Sequence, residues 1–313
     1  MNHYAIETQR LSKTFPRGVK AVSEVDLQVR RGAVYGLMGR NGAGKTTTLR
    51  LLLGLLRADS GSARVLGEDL WNAPRSVRAR VAYVSQTQQL HGWMSLEELC
   101  RYAAHFYEQW DLDYARELAR RWELNWKQQV GRMSGGEQRK TAILLAFASR
   151  PEVMVLDEPA AGLDPIARRQ LVDEIVDVLT RSEGYTILFS THIISDLERI
   201  AEYVGMMERG RLVSSARLEE FQQHTRRVQV IFGNDGPPSG FVIPGAVRSQ
   251  TAGPVVTAVT RLTSEIQLEP IRHLPGVRVN VFPLGLEEIF LELSEHGVGA
   301  ENGQTVFPPN QQL

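Results

Sequence analysis

The stretch Gly39-Arg40-Asn41-Gly42-Ala43-Gly44-Lys45-Thr46-Thr47 constrains this chain more than any other nine residues in it. It has the Walker A form GxxxxGK[ST] and lies between an apolar, strand-like run, AVYGLMG, and TTTLRLLLGLLRA, which is apolar at helical spacing and is expected to be closed by Asp59-Ser60-Gly61. Glycines let backbone N–H groups curl around crowded oxygens, and the helix that follows presents the positive end of its dipole. Such a cradle suits a triphosphate, with Lys45 reaching the β- and γ-phosphates and the Thr46 hydroxyl placed on Mg²⁺. Strand, glycine turn and helix in that order predict an α/β core.

The rest of the chain extends this pattern. Residues 4–38 read as short strands, and helical patterns dominate from about Leu96 to Arg150. Strand signals return with VMVLD (153–157) and TILFS (186–190) on either side of a helical run, so a mostly parallel sheet flanked by helices is expected. After about residue 220 come short β-like runs at 228–232, 255–259 and 277–282 and a helix, LEEIFLEL, which together read as a small α/β appendage. Residues 297–313 lack periodicity and read as a disordered tail.

Composition narrows the class. The 36 basic and 36 acidic side chains cancel, which removes the electrostatic reason to propose nucleic acid as a partner. The longest apolar runs, such as Leu51 to Leu56, are far shorter than the roughly 18–20 residues needed to cross a bilayer. Cys100 is the only cysteine, so no intrachain disulfide forms, and its neighbours read as a helix with the thiol on the apolar face. Neither it nor the seven histidines pair at zinc-ligand spacing, which leaves Mg²⁺ delivered with the triphosphate as the only metal implied.

The run Val153 to Leu156 ends in Asp157-Glu158, which puts two carboxylates at the C-terminal edge of a buried strand, where ligands bind in open α/β sheets. Asp157 would hold the metal and Glu158 would polarise the attacking water as general base. Such a pair also caps helices, and it is the Walker A loop beside it that favours catalysis.

Met133-Ser134-Gly135-Gly136-Glu137, whose Ser134 stands 23 positions ahead of Asp157, resembles the LSGGQ signature of ABC (ATP-binding-cassette) ATPases. Ser-Gly-Gly opening a helix is itself a second anion cradle. The resemblance covers roughly residues 4–215 and implies a P-loop NTPase (RecA-like) core, an antiparallel β subdomain and a helical signature subdomain at about 87–150. The nucleotide-binding domain is then 1–220 and the small C-terminal α/β domain 221–296. It further implies that Ser134, Gly135 and Gly136 contact the γ-phosphate held by an opposite subunit. The Glu137 carboxylate departs from the usual Gln, and its role stays open.

Other matches follow the family residue by residue. Gln86 fits the Q-loop glutamine that touches Mg²⁺ or the attacking water, Asp164 the D-loop aspartate at the subunit interface, and His192 the switch histidine on the γ-phosphate. Phe15 fits the aromatic that stacks on adenine. Trp93 and Met94 fall in the segment that receives a helix of the membrane subunit, and read equally as exposed contacts or as core.

The resemblance therefore implies an ATPase subunit on the inner face of the cell membrane, working with a second such subunit, identical or different, and with a separate transmembrane permease. The C-terminal appendage resembles the branch of drug and antibiotic exporters. An importer motor and a soluble regulatory cassette remain open, whereas a small GTPase would need an Asn-Lys-x-Asp that the chain lacks.

Overall fold

A computed structural model describes residues 3–87, 89–181, 184–233, 236–262 and 264–294. The chain divides into two compact units at Val213/Ser214. The expected tail lies outside the described residues.

The first unit begins with β1 (Tyr4–Phe15), β2 (Val19–Val25), β3 (Gln28–Arg30), β4 (Val34–Met38), α1 (Lys45–Leu52), β5 (Ser60–Val65), α2 (Arg75–Arg78) and β6 (Val81–Val84). Three helices follow, α3 (Leu96–Ala104), α4 (Leu112–Arg121) and α5 (Gly135–Ala148). The unit then alternates β7 (Val153–Asp157), α6 (Pro165–Arg181), β8 (Thr186–Thr191), α7 (Ile194–Ile200), β9 (Tyr203–Glu208) and β10 (Arg211–Arg217), the last of which crosses the unit boundary.

Two sheets organise these elements. β1 pairs antiparallel with β2, β3 and β5. The larger sheet has the order β10-β9-β4-β8-β7-β6, with β4 parallel to β8 and β9, and β7 parallel to β8 and β6. Every residue of β7 and β8 is buried, which explains why Val153–Leu156 and Ile187–Phe189 are apolar without alternation. Because β4, β8, β7 and β6 run the same way, the loop after β4, the carboxylates ending β7, the histidine after β8 and the glutamine after β6 share one sheet edge. The core joining the two sheets includes Ile6, Leu27, Tyr35, Leu37, Leu49, Leu52, Val155 and Leu188.

Helix α1 ends at Leu52, seven residues before the expected stop at Asp59. Gly54 takes φ +64°, the Leu55 N–H donates to the Arg50 carbonyl at 2.9 Å and the Gly54 N–H to that of Leu51 at 3.1 Å, which is a Schellman closure. A Cβ on Gly54 would stand 2.5 Å from the Leu70 carbonyl carbon, so the close approach of that segment also requires glycine.

Helix α3 starts in a capping box between Ser95 and Glu98 and buries Leu96, Leu99 and Cys100. Desolvation pushes the Cys100 thiol up to about 12, so it carries almost no thiolate near neutral pH. A disulfide reagent at pH 8 is therefore expected to label Cys100 only after denaturation. Stoichiometric labelling of the native protein within minutes would contradict its burial. The neighbouring segment splits the expectation for its two large side chains, since Met94 is 9% exposed and Trp93 68%.

The second unit holds α8 (Leu218–His224), β11 (Thr225–Ile231), β12 (Ala246–Ala252), β13 (Val255–Arg261), α9 (Glu269–Arg272), β14 (Arg278–Pro283) and α10 (Leu286–Ser294). Its sheet is antiparallel with order β12-β13-β11-β14, over a core of Val228, Val230, Phe232, Val256, Leu268 and Ile271. β12, sequence AVRSQTA, buries no residue fully, and with so few apolar positions its period does not show in the sequence. Among the described residues no helix is long and apolar enough to cross a membrane.

Candidate nucleotide site

Met38 ends β4, and α1 begins at Lys45, so the Walker A loop is stretched across the sheet edge. Gly44 sits at φ +103°, and a Cβ there would lie 2.4 Å from the Ala21 carbonyl oxygen, so this position accepts only glycine. A cleft of about 450 Å³ opens over the loop, lined by Ala21, Asn41, Gly42, Ala43, Gly44, Lys45, Thr46, Thr47, Gln86 and Glu158. Gly39 and Arg40 contribute through their carbonyls, which face Lys45 Nζ at 2.7 and 3.4 Å.

Lys45 and Glu158 form a buried pair, Nζ to Oε1 at 3.1 Å, each 5% exposed at the side chain. His192 Nδ1 is hydrogen-bonded to the other Glu158 oxygen at 2.8 Å, with its ring 41% exposed. Glu158 adopts φ +49°, a left-handed conformation that costs a non-glycine residue on the order of 1–3 kcal/mol. Two contacts to Ser190 hold it there: the Glu158 N–H donates to the Ser190 hydroxyl at 3.0 Å and to its carbonyl at 3.1 Å.

The Ser190 hydroxyl also donates to Asp157 Oδ1 at 2.6 Å, across the register pair Asp157–Ser190 of β7 and β8. The Thr46 hydroxyl donates to the same oxygen at 3.1 Å. Asp157 is wholly buried, yet its Oδ2 has no hydrogen-bond partner among the described residues.

The signature residues lie elsewhere. Ser134 caps α5, its hydroxyl accepting from the Glu137 N–H at 3.3 Å while the Glu137 carboxylate accepts from the Ser134 N–H at 2.7 Å. Glu137 is thus turned back onto its own helix start in a capping box. Ser134 and Gly135 are exposed, and none of Ser134, Gly135 and Gly136 lines the cleft. Asp164 is exposed at the start of α6, where it accepts from the Ile166 and Ala167 N–H groups at 2.9 and 3.0 Å. Phe15 ends β1, is 37% exposed and does not line the cleft.

Two residues of this region escaped the sequence reading. Ser190 is a buried hydroxyl two positions before His192; its polarity after the apolar Ile187–Phe189 is the available signal. Arg139 is 8% exposed and donates to the carbonyls of Ser85 at 2.9 Å and Gln86 at 2.7 Å. Burial pushes its guanidinium below the usual arginine value, with the Asp157 charge working in the opposite direction. Nothing in the sequence separates it from Lys140, the half-buried basic residue beside it in the same helix.

A glycine-bound loop between a parallel strand and a helix, whose lysine faces the carboxylate of Glu158 just past a strand once removed in the sheet, defines a P-loop nucleoside triphosphatase. The comparisons with known proteins narrow this class. A sequence profile described as ABC transporter matches residues 22–161. The ABC transporter ATP-binding protein YtrB of Bacillus subtilis (strain 168) is 29% identical over 91% of this chain and 97% of its own length. The Nod factor export ATP-binding protein I of Cupriavidus pinatubonensis (strain JMP 134 / LMG 1197) is 31% identical over 92% and 90%. A solved structure of an ATP-binding subunit of an ABC transporter superposes with a TM-score of 0.62 at 30% identity, covering 70% of this chain and 92% of that one. The chain belongs to the ABC transporter ATP-binding protein family: it binds ATP and hydrolyses it as the ATPase subunit of an ABC transporter.

Proposed function

We propose that two copies of this chain close head to tail around two ATP molecules, each signature completing the opposite site, and that closure drives a separate membrane-spanning permease in the direction of export. One observation carries the pairing. The Ser134–Gly136 helix start is exposed and stands outside the cleft that holds Lys45 and Glu158, so each chain has both halves of a site and does not assemble them itself. A different cassette in place of the second copy is the alternative, and the chain alone would then keep the mass of one copy in Mg-ATP. Export rests on the Nod factor relative, whose name assigns that direction to it.

In this reading the backbone of Gly39 to Thr47 wraps the phosphates, Lys45 neutralises the β- and γ-oxygens, and Phe15 stacks on adenine. Ser134, Gly135 and Gly136 of the facing copy close on the γ-phosphate, with Asp164 at the interface. Glu158 takes the proton of the attacking water, Gln86 orients that water, and His192 holds Glu158 and reaches the γ-phosphate. The Thr46 hydroxyl and the orphaned Asp157 Oδ2 offer the hard oxygen donors that suit Mg²⁺, with Gln86 beside them. Mg²⁺ bound there supplies charge neutralisation on the phosphate oxygens.

The permease is expected to dock on a second cleft of the same unit, about 290 Å³, formed by β6, α3 and α5 and lined among others by Tyr83, His91, Leu99, Tyr102 and Phe106. His91, Tyr102 and Phe106 form an edge-to-face ladder with centroids 5.4 and 5.2 Å apart, and Tyr102 and Phe106 are 43% and 47% exposed. An aromatic floor open to solvent suits the apolar face of a short helix. In this reading the subunit sits on the inner face of the membrane through its partner.

Affinity capture of the tagged protein from gently solubilised membranes in Mg-ATP is expected to bring down a polytopic protein. Phe106→Asp should lose that protein while keeping the hydrolysis rate of the isolated subunit within about twofold, because Phe106 lines the second cleft and not the nucleotide cleft. Recovery of soluble partners alone would favour a regulatory cassette over a transporter motor. Transport by reconstituted vesicles of known sidedness separates exporter from importer.

A further inference from the structure

We infer that Arg139 is a positioning residue that ties the signature to the Q-loop, so that Gln86 is held in register by the same helix that presents Ser134, Gly135 and Gly136. The inference deepens the reading of Gln86 given above and rests on it.

Arg139 stands one turn into α5, whose first residues are the signature. Arg139 is 8% exposed, and its two terminal nitrogens donate to consecutive main-chain carbonyls, Ser85 at 2.9 Å and Gln86 at 2.7 Å. These carbonyls belong to the segment that leaves β6 at the nucleotide edge of the sheet, and Gln86 lines the cleft. A buried guanidinium in a protein usually answers a carboxylate. This one is bonded to backbone oxygens, which fixes the path of a chain segment instead of neutralising a charge. The fork is planar and rigid, so two bonds from one group fix the orientation of the Ser85–Gln86 peptide as well as its distance. A signature engaged on the γ-phosphate of a facing copy is therefore coupled through a single helical turn to the peptide that carries Gln86. The Ser85 hydroxyl, which donates to the Thr87 carbonyl at 2.5 Å, extends the constraint past Gln86.

The alternative is that Arg139 serves only the packing of α5. The two roles differ in how Arg139 and Gln86 combine, so the test is a double-mutant cycle on the full-length protein with ATP turnover and ATP affinity both measured. Arg139→Met keeps length and apolar volume and removes both donors. It is expected to lower kcat by about 10²-fold, the effect of a misplaced catalytic group, while ATP affinity of the isolated subunit changes by less than about threefold. In a Gln86→Ala background the same substitution is expected to cost less than about twofold, because the group it positions is already gone. Equal losses in both backgrounds would overturn the inference and leave Arg139 a packing residue, with Gln86 unaffected as a catalytic group. Wild-type turnover by Gln86→Ala alone would remove the reading of Gln86 and this inference with it. Should Arg139→Met fail to fold, Arg139→Lys retains the charge, reaches one carbonyl at a time, and enters the same cycle with a smaller expected loss and the same criterion.

Discussion

Glu158→Gln is expected to lower ATP turnover by about 10²- to 10⁴-fold, the usual worth of a positioned general base, while leaving ATP binding intact. The substitution changes a carboxylate into an amide of the same shape, so the site keeps its volume. Lys45 keeps the Gly39 carbonyl at 2.7 Å when the charge of Glu158 is removed, and the positive-φ turn stays pinned by the Ser190 contacts, which use the main chain of residue 158. Phosphate release and nucleotide affinity, measured on one preparation, separate the two effects. A variant with wild-type hydrolysis would refute Glu158 as the base.

Lys45→Ala has the second largest expected effect, and it acts on both binding and folding. Loss of the ammonium removes charge-assisted contacts to phosphate oxygens, for which roughly a 10- to 100-fold loss of ATP affinity is expected. Without nucleotide, Lys45 and Glu158 are a pair 3.1 Å apart with 5% exposure on either side. Removing one partner of such a pair leaves a buried charge and costs about 3–5 kcal/mol, here reduced by the His192 ring that still faces Glu158. The double variant Lys45→Ala/Glu158→Gln no longer buries an unpaired carboxylate and is expected to regain much of that stability without regaining ATP affinity. Calorimetric titration reports the first quantity and thermal unfolding the second. Unchanged ATP affinity in Lys45→Ala would count against the phosphate role of the loop.

The order in which these features could be read from the sequence follows their physical origin. The phosphate loop, the Asp157-Glu158 pair and the Ser134–Gly136 helix start are contiguous, because each is built by a local turn whose conformation depends on its own glycines and caps. The buried strand β7 shows as an apolar run from Val153 to Leu156, and β8 as the apolar centre Ile187–Phe189 between hydroxyl residues. What was hidden depends on partners distant in sequence. Ser190 matters because strand register sets it beside Asp157, 33 residues away. Arg139 matters because α5 delivers it to a loop more than 50 residues earlier. Helix α1 stops at Leu52 because Gly54 closes a Schellman turn, a signal overlooked inside an apolar run that continued past it. Glu137, whose place the sequence left open, is explained by the capping box with Ser134, a pairing that spacing alone allows but does not require.

One chain does not complete the site, because Ser134–Gly136 stand outside its own cleft. The light-scattering mass of Glu158→Gln, taken with and without saturating Mg-ATP, tests this most directly. A mass that doubles on adding ATP, and returns to that of the single chain when ATP is removed, is the predicted result. A mass that stays at one chain at every ATP concentration, in protein shown to bind the nucleotide, would contradict closure between two copies.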